Sequence, residues 1–354
     1  MIMNLNINIS WFDRVTIKDK AFFAEQVGTM IQSGLPLVQA IDVISQQTKK
    51  EKFKKVLEDI HKDIETGKTF SESIKKHPEI FDRIFSNMVM AGEASGKLDE
   101  ALVELARQIN RNNNFISKIK GSLSYPIFVI VVMLGVGIYA TVKIIPSLTG
   151  VFKEANVTLP WSTKLVMALS DFMIHYWYLL ILIIVVAGVV VYYYLKTDNG
   201  RWNRDLLLTK EPTKLANKIY MARFSRTLGS LLKNGIPIIE AVDIVSETIN
   251  NLVIEKSLKN VIQELEKGIP MSQPIKEDKN FPIFISQMMV VGEQTGRVDQ
   301  ILLSLADYFE QDVENNIKNI STLFEPIIIV IIGIGVAFLI FSIILPIYSI
   351  SQGV

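Results

Sequence analysis

Apolar residues follow two different patterns along the 354-residue chain. In most of it they recur at intervals of three and four positions, as between Phe23 and Val27, which is the spacing of an amphipathic helix. Three stretches are instead almost continuously apolar, at 125–145, 176–195 and 326–345. Each has about 20 residues, enough at a rise of about 1.5 Å per residue to cross a hydrocarbon core of roughly 30 Å. The pattern therefore predicts a helical protein with three transmembrane helices.

Glycine and proline divide the amphipathic pattern in the first third of the chain into six helices. The first ends at Gly34 and the second begins at Pro36, since glycine is favoured just after a helix and proline in its first turn. Thr69 and Glu72 have the spacing of a capping box at the start of a short fourth helix. Gly96 has the position of a C-terminal cap for the fifth helix, and the sixth leads toward the first apolar stretch. No segment shows the alternation of a strand.

A second copy of this pattern follows later in the chain. Residues 23–45 read FAEQVGTMIQSGLPLVQAIDVIS, and residues 224–246 read FSRTLGSLLKNGIPIIEAVDIVS. Seven of these 23 aligned pairs are identical and nine more exchange one apolar residue for another, which excludes a chance likeness. GEASGKLDEALVELA at 92–106 matches GEQTGRVDQILLSLA at 292–306 in the same way.

The two copies keep a nearly constant offset, so they can be compared residue by residue. The offset is 201 positions through Gly67 and Gly268, and 200 positions from Phe81 and Phe281 onward. A unit of about 125 residues, long enough for its own core, therefore occurs twice. Six helices in the first copy predict six in the second.

Basic residues indicate which side of the membrane the two copies occupy. Four precede the first apolar stretch and five follow the second: Arg107, Arg111, Lys118 and Lys120, then Lys196, Arg201, Arg204, Lys210 and Lys214. The segment between these stretches has only Lys153 and Lys164, beyond Lys143 at the membrane edge. Because basic residues stay on the cytoplasmic side, both copies are predicted to be cytoplasmic. The N-terminus is then cytoplasmic and the C-terminus external.

The predicted fold class is an all-α membrane protein with two homologous six-helix cytoplasmic bundles and three transmembrane helices. The expected parts are an N-terminal segment at 1–16, cytoplasmic helical domain 1 at 17–124, transmembrane helix 1 at 125–146, an external loop at 147–175, transmembrane helix 2 at 176–196, a linker with cytoplasmic helical domain 2 at 197–325, transmembrane helix 3 at 326–349 and an external tail at 350–354.

The composition of the chain excludes several kinds of metal, redox and catalytic site. Without cysteine the chain has neither disulfides nor thiolate metal sites. His61, His77 and His175 lie in different elements without ligand spacing, so neither a metal nor a catalytic site is predicted. The net charge of +1 gives no reason to expect nucleic acid as a partner. We predict a protein that is not an enzyme and that uses no cofactor.

Repeated glycines, prolines and glutamates are candidates for structural or partner-contact roles. They are Gly34, Pro36, Gly92, Glu93 and Gly96 in the first copy, and Gly235, Pro237, Gly292, Glu293 and Gly296 in the second. Two explanations fit the paired glutamates. Each could bind backbone amides around a crowded helix end, or could belong to a contact surface or an incidental cation site.

Glu325 is a further candidate because it stands one residue before Pro326, at the predicted inner edge of the membrane. A carboxylate there must be solvated, paired or in contact with a partner. Its counterpart in the first copy is Tyr125, so the two copies do not share this role.

The repeated motifs resemble one protein family. Phe-x(4)-Gly-x(5)-Gly-hydrophobic-Pro occurs at 23–36 and 224–237, and Gly-Glu-x-[Ser/Thr]-Gly-[Lys/Arg] occurs at 92–97 and 292–297. With the three apolar stretches, the chain resembles the GspF/PilC-like inner-membrane platform proteins of type II secretion and type IV pilus systems. The resemblance covers about residues 15 to 350.

This resemblance implies a non-enzymatic scaffold in the cytoplasmic (inner) membrane that forms homo-oligomers. Such a scaffold couples a cytosolic assembly ATPase to the extraction and polymerisation of pilin-like subunits, and meets other inner-membrane assembly proteins besides the surrounding lipid. Two alternatives come from other classes. A transport or channel subunit would need polar groups facing one another within the apolar stretches, and the only charged side chain there is Lys143. A membrane receptor would need its helical domains outside.

Overall fold

The computed structural model describes residues 13–147, 161–210 and 214–352, and every described regular element is helical. The first copy forms α1 (Ile17–Gln32), α2 (Leu37–Gln47), α3 (Glu51–Glu65), α4 (Phe70–Lys75), α5 (Arg83–Ala94) and α6 (Leu98–Tyr139), followed by a π-helical segment (Ala140–Ile144). Between the copies lie α7 (Trp161–Lys196) and α8 (Asp198–Lys210). The second copy forms α9 (Leu215–Lys233), α10 (Ile238–Thr248), α11 (Leu252–Glu266), α12 (Ser272–Glu277), α13 (Ile283–Thr295) and α14 (Val298–Gln352). The prediction of six helices in each copy is confirmed.

Capping boxes define the starts of α1 and α4. The predicted capping box is present at α4, where the Glu72 amide donates to the Thr69 hydroxyl at 3.2 Å and the Thr69 amide donates to the Glu72 carboxylate at 3.1 Å. Thr16 and Asp19 form the same reciprocal pair at the start of α1. These bonds satisfy amides that a helix start leaves without partners.

The chain forms two compact units, and the first contains both bundles. It comprises Met1–Ser117 and Asp205–Val313. The core of the first copy is a cluster of four phenylalanines, Phe23, Phe53, Phe81 and Phe85, whose neighbouring rings lie 4.6 to 6.3 Å apart. Burying an aromatic side chain removes a large apolar area from water, so this cluster is a main source of the bundle's stability.

The second copy keeps two of the four rings. Phe224 and Phe281 lie 5.4 Å apart, edge to face. Ile254 and Ile285 stand where the first copy has Phe53 and Phe85, and both are fully buried. Branched aliphatic residues thus fill the positions of the other two rings.

The second compact unit comprises Lys118–Arg204 and Glu314–Val354 and contains the apolar stretches. Two helices are long and apolar enough to cross a membrane, and α7 makes a third if its two parts, bent by 47°, count as one span. Most large side chains of these segments are exposed, as Phe128, Ile183 and Ile334 are. Exposed apolar surface of this extent is typical of a lipid-facing helix.

Two helices extend across the bounds of the expected parts. Helix α6 runs from Leu98 to Tyr139 with Pro126 inside it, so a single helix passes the expected boundary at 124/125. Helix α7 begins at Trp161, which makes the second part of the expected external loop helical. Residues 148–160 of that loop, residues 1–12 and the last two residues of the tail lie outside the described residues.

The π-helical segment lies near the end of the first apolar stretch. The Ser170 hydroxyl, from α7, donates a hydrogen bond to the Thr141 carbonyl at 2.5 Å. A π turn widens the helix and changes the pairing of its carbonyls, and a hydroxyl from a neighbouring helix can satisfy one of them.

Candidate functional site

Glu93 links the end of α5 to the start of α4. Its carboxylate accepts hydrogen bonds from the Phe70 amide at 2.8 Å, the Ser71 amide at 3.1 Å and the Ser71 hydroxyl at 2.7 Å. A helix start presents unpaired amides and a partial positive charge, and a carboxylate satisfies both. These contacts are those of the first explanation given for the repeated glutamates, binding of backbone amides at a helix end.

Glu293 makes the same connection in the second copy. It accepts hydrogen bonds from the Ser272 amide at 3.1 Å and from the Ser272 hydroxyl at 2.5 Å. Among the described residues, no group of three histidine, aspartate or glutamate side chains has the arrangement of a metal site. Both glutamates are half-buried and are held by groups of their own bundle.

Two glycine turns determine how consecutive helices follow one another. Gly34 has φ +89° and Gly96 has φ +70°, values that favour glycine. After Gly96, the Lys97 amide donates to the Gly92 carbonyl at 2.8 Å, while the Gly96 amide itself donates to the Glu93 carbonyl at 3.2 Å. This pair of bonds is a Schellman cap, which ends the helix and satisfies its last carbonyls. Gly235 and Gly296 occupy the same positions in the second copy, also at positive φ.

Pro36 and Pro237 set the start of the second helix in each copy. Each is the residue just before the helix, with φ near −57° and an extended ψ. Proline fixes this φ and lacks an amide hydrogen, so it directs the chain from the glycine turn into the helix.

Gly92 and Gly292 allow two helices to pack closely. A Cβ at Gly92 would lie 2.4 Å from the Ala101 Cβ on α6. At Gly292 the nearest atom to such a Cβ would be the Val298 Cα, at 3.1 Å. Contacts below 3.0 Å are not compatible with a real side chain, so the first position requires glycine more strictly than the second.

The two bundles meet along a seam inside the first compact unit. Arg83 on α5 donates to the Asp243 carboxylate on α10 at 2.9 Å and also pairs with Glu247. Lys233 on α9 pairs with Glu104 on α6 at 3.4 Å. The hydrogen bonds that Arg83 donates to Glu247 and Asp243 outweigh desolvation and raise the pKa of Arg83 above its ordinary value. The seam is therefore a charged contact between two non-equivalent faces.

A cavity of about 280 Å³ lies at this seam. Gln108 and Arg223 line it, and neither the Gln108 Oε1 nor the Arg223 Nε has a hydrogen-bond partner among the described residues. Asp82 and Glu310 also line the cavity, so its acidic and basic groups balance. No single ligand charge is favoured.

Arg226 anchors the cavity wall within the second copy. Its buried guanidinium pairs with Asp307 at 2.5 Å and with Glu310 at 3.0 Å. Burial lowers the pKa of Arg226, but the hydrogen bonds that it donates to Glu310 and Asp307 raise the pKa by more, and the net direction is upward. The group thus stays charged where it holds α9 against α14.

The remaining sequence candidates lie elsewhere. Glu325, in the second compact unit, is exposed and makes no ion pair with a described residue. Gly34 follows α1 and Gly96 follows α5, so the predicted residues belong to separate helix ends. Sequence reasoning missed the seam residues Arg83 and Lys233. Their signal was a change of charge between otherwise matching copies, since Arg83 aligns with Ile283 and Lys233 with Gln32.

Comparison with known proteins gives a family match in two parts. The family model "Type II secretion system (T2SS), protein F" matches residues 23–146 and 224–346, which contain the two copies and the apolar stretch after each. The resemblance inferred from the repeated motifs is thereby confirmed.

Individual relatives extend over nearly the whole chain. The type IV pilus assembly protein PilC of Myxococcus xanthus is 32% identical over 99% of this chain and 84% of its own length. The PilC protein of Thermus thermophilus is 33% identical, over 94% of this chain and 83% of its own. The type II secretion system protein F of Vibrio cholerae is 26% identical, over 96% and 84%. Relatives therefore include proteins of both machines.

Proposed function

The chain belongs to the type II secretion system protein F family, and from this premise we propose that it is a platform protein of the cytoplasmic membrane. In this role it couples a cytosolic assembly ATPase to the extraction and polymerisation of pilin-like subunits, and catalyses no reaction itself. Support comes from relatives named for type IV pilus assembly and for type II secretion. Other inner-membrane assembly proteins and further copies of the chain complete the proposed set of partners.

One observation carries this proposal: each bundle ends in a helix that continues as an apolar segment. Helix α6 runs without a break from Leu98 to Tyr139, and α14 from Val298 to Gln352. A continuous helix keeps its backbone hydrogen bonds and rises about 1.5 Å per residue, so it behaves as a short rod. A displacement applied to a bundle would reach the membrane along such a rod.

The seam supports three membrane crossings with both bundles in the cytoplasm. Because Arg83 pairs with Asp243 and Glu104 with Lys233, the two bundles must lie on the same side. An even number of crossings must then separate them along the chain. The first apolar stretch and the bent α7 supply two, and α14 supplies the third. The basic flanks of the first two stretches favour the cytoplasm as that side, and the proposal then has the C-terminus external.

Binding to the ATPase is the first test. The full chain, reconstituted in lipid nanodiscs, should retain the purified secretion-type ATPase of the same organism, while empty nanodiscs should not. Exposed charged residues of α3 and α11 are suitable sites for charge-reversal variants, because they lie away from the cores. Absence of binding by a folded, reconstituted chain would contradict the coupling role.

A genetic experiment tests the role in the cell. Deletion of the gene should abolish surface filaments or secretion while the pilin-like subunits remain in the cytoplasmic membrane. The full chain supplied in trans should restore both. Filament assembly or secretion at the normal level without the protein would contradict a platform function.

A further inference from the structure

The seam between the bundles joins two different faces, and each face has a counterpart elsewhere on the same chain. On the first copy the seam uses α5 and α6, and on the second it uses α9 and α10. By the repeat, the counterpart of the first face is formed by α13 and α14, and the counterpart of the second by α1 and α2. A contact between unlike faces of similar modules leaves one face of each kind unused.

The unused face of the second copy is apolar and exposed. It contains Ile283, Phe284, Ser304 and Tyr308, which we call the α13 face. Ile283 is 64% exposed and Tyr308 is 52% exposed, while Gln108, the seam counterpart of Tyr308, is only 9% exposed. The Phe284 and Tyr308 rings lie 5.3 Å apart. The face has the composition of an interface, with aromatic side chains that gain from burial.

The unused face of the first copy is its matching partner. It contains Phe22, Gln32, Asp42, Val43 and Gln46, which we call the α2 face. Phe22 is 52% exposed, although it is aromatic. Val43 is half-buried, whereas its seam counterpart Ile244 is fully buried. A partner bound to the α2 face would bury Phe22 and Val43, as the seam buries the corresponding face of the second copy.

On both unused faces, uncharged residues stand where the seam has charged ones. Arg83 and Glu104 of the seam correspond to Ile283 and Ser304 on the α13 face. On the other side, Lys233 and Glu247 correspond to Gln32 and Gln46 on the α2 face.

Asp243 alone keeps its charge, as Asp42, and that carboxylate accepts a hydrogen bond from Gln46 at 2.9 Å. The other seam charges are neutralised on both sides, so Asp42 lacks only the counterpart of Arg83 and keeps Gln46 as its donor, which leaves the two faces compatible.

We propose that the α13 face of one chain binds the α2 face of a second copy of the same chain, repeating between chains the contact that the seam makes within one. This rests on the part of the proposed function that includes further copies of the chain, and it names the two faces by which they bind; it does not depend on binding of the ATPase. Since each chain would have one α13 face and one α2 face, the contact is head to tail. It would close into a ring or continue as an array, according to the rotation per chain.

Crosslinking tests the contact between the α13 face and the α2 face. Because the chain has no native cysteine, only the introduced cysteines can react. Two differently tagged full-length chains, Ile283→Cys and Gln46→Cys, are co-expressed in membranes and treated with a short bis-maleimide. We expect crosslinked pairs that carry both tags, at least several-fold more abundant than pairs with one tag. Arg83→Cys with Glu247→Cys in one chain is the positive control, because these side chains touch across the seam.

Each other outcome would overturn the proposal. Pairs formed by Ile283→Cys alone would show two α13 faces meeting about a two-fold axis. No crosslink between chains, with the control linking normally, would leave both faces without a second copy as partner.

A second variant separates assembly from folding. Ile283→Glu places a carboxylate opposite Asp42, so we expect the mixed-tag yield to fall several-fold. The yield is measured with Ser304→Cys in place of Ile283→Cys and Gln32→Cys in place of Gln46→Cys, the counterparts of the seam pair Glu104 and Lys233. Adding Gln46→Lys should restore it. Lys55→Glu, on an exposed position of α3, is the matched control and should have no effect. An unchanged yield in Ile283→Glu would contradict the proposed contact.

Discussion

The two bundles keep the same inner connections and differ on their outer faces. Glu93 and Glu293 each bind the start of the short fourth helix of their copy. On the outside, Arg83 forms ion pairs where the second copy has the exposed Ile283. After a duplication, the contacts that define a bundle had to be kept in both copies, while a face could change once its partner differed. Positions that differ between the copies therefore indicate surfaces that contact a partner, and positions that are identical indicate residues that the fold of each bundle requires.

The largest loss of stability is expected from a substitution in the core, where the two copies differ. Phe85 lies 4.6 Å from Phe81 and is fully buried, and Ile285 takes its place in the second copy. We expect Phe85→Ala to lower the stability of the first bundle by about 3 to 5 kcal/mol. Phe85→Ile should cost less, because it fills part of the space. Hydrogen exchange of the α2 amides in the full chain measures both. Equal losses would show that the ring itself is required.

The close helix contact gives the next largest effect. Gly92→Ala should destabilise the first bundle by about 1 to 3 kcal/mol, because the new methyl group would overlap Ala101. Gly292→Ala should cost less, since the second copy leaves more space at that position. Thermal unfolding of the two variants in the same detergent compares them. A larger loss for Gly292→Ala would contradict the difference in packing.

The glutamate contacts should show a similar but weaker asymmetry. Glu93→Ala leaves the Phe70 and Ser71 amides without an acceptor, so we expect a loss of about 1 to 3 kcal/mol. Glu293→Ala removes one amide contact, that of Ser272, and should cost less. Exchange rates of the α4 and α12 amides report each change separately. Glu58→Ala, on an exposed position of α3, serves as the neutral reference.

The contact of Asp19 with Thr16 and Lys50 is acid-sensitive and has no counterpart at Tyr220 in the second copy. Burial raises the pKa of Asp19, but hydrogen bonds from Lys50 and Thr16 lower the pKa by a larger amount, so its net pKa is below the ordinary value. The resulting stability is complete above the unfolded pKa of about 3.9 and is lost as the pH falls through the lower folded pKa.

The Asp19→Asn variant removes this pH-dependent contribution to stability. It should unfold at a lower temperature than the wild type at pH 7, and the difference should shrink toward pH 3. Tyr220 occupies the corresponding position of the second copy, so Tyr220→Phe should give no such pH dependence. A difference between wild type and Asp19→Asn that stays constant with pH would contradict the assigned contact.

The smallest effect is expected at the seam. Arg83 and its acidic partners are each about 40 to 50% exposed, and such pairs contribute at most about 1 kcal/mol. Arg83→Ala should slightly increase hydrogen exchange in α10, and high salt should reduce the difference from wild type. A salt-independent loss of several kcal/mol would show that the seam depends on packing rather than on charge.

Local signals predicted the bundles well, because their helices are defined by nearby residues. The glycine turns, the Thr69 capping box and the duplicated pattern each specify a boundary within a few positions. Contacts between distant residues left weaker traces. The sixth helix was expected to lead toward the first apolar stretch, and α6 continues through Pro126, since a membrane helix can tolerate proline when the freed backbone groups find other partners. The pairing of Arg83 with Asp243 required knowledge of which faces meet.

The side of the membrane on which the two bundles lie tests the account most directly. Single cysteines at Lys55 in the first copy, Lys259 in the second and Asn156 between the first two apolar stretches provide three reporters in a chain without native cysteine. A membrane-impermeant maleimide should label Asn156→Cys in intact spheroplasts, and should label Lys55→Cys and Lys259→Cys only in inverted vesicles. Labelling of either bundle from outside would contradict a platform with two paired cytoplasmic bundles.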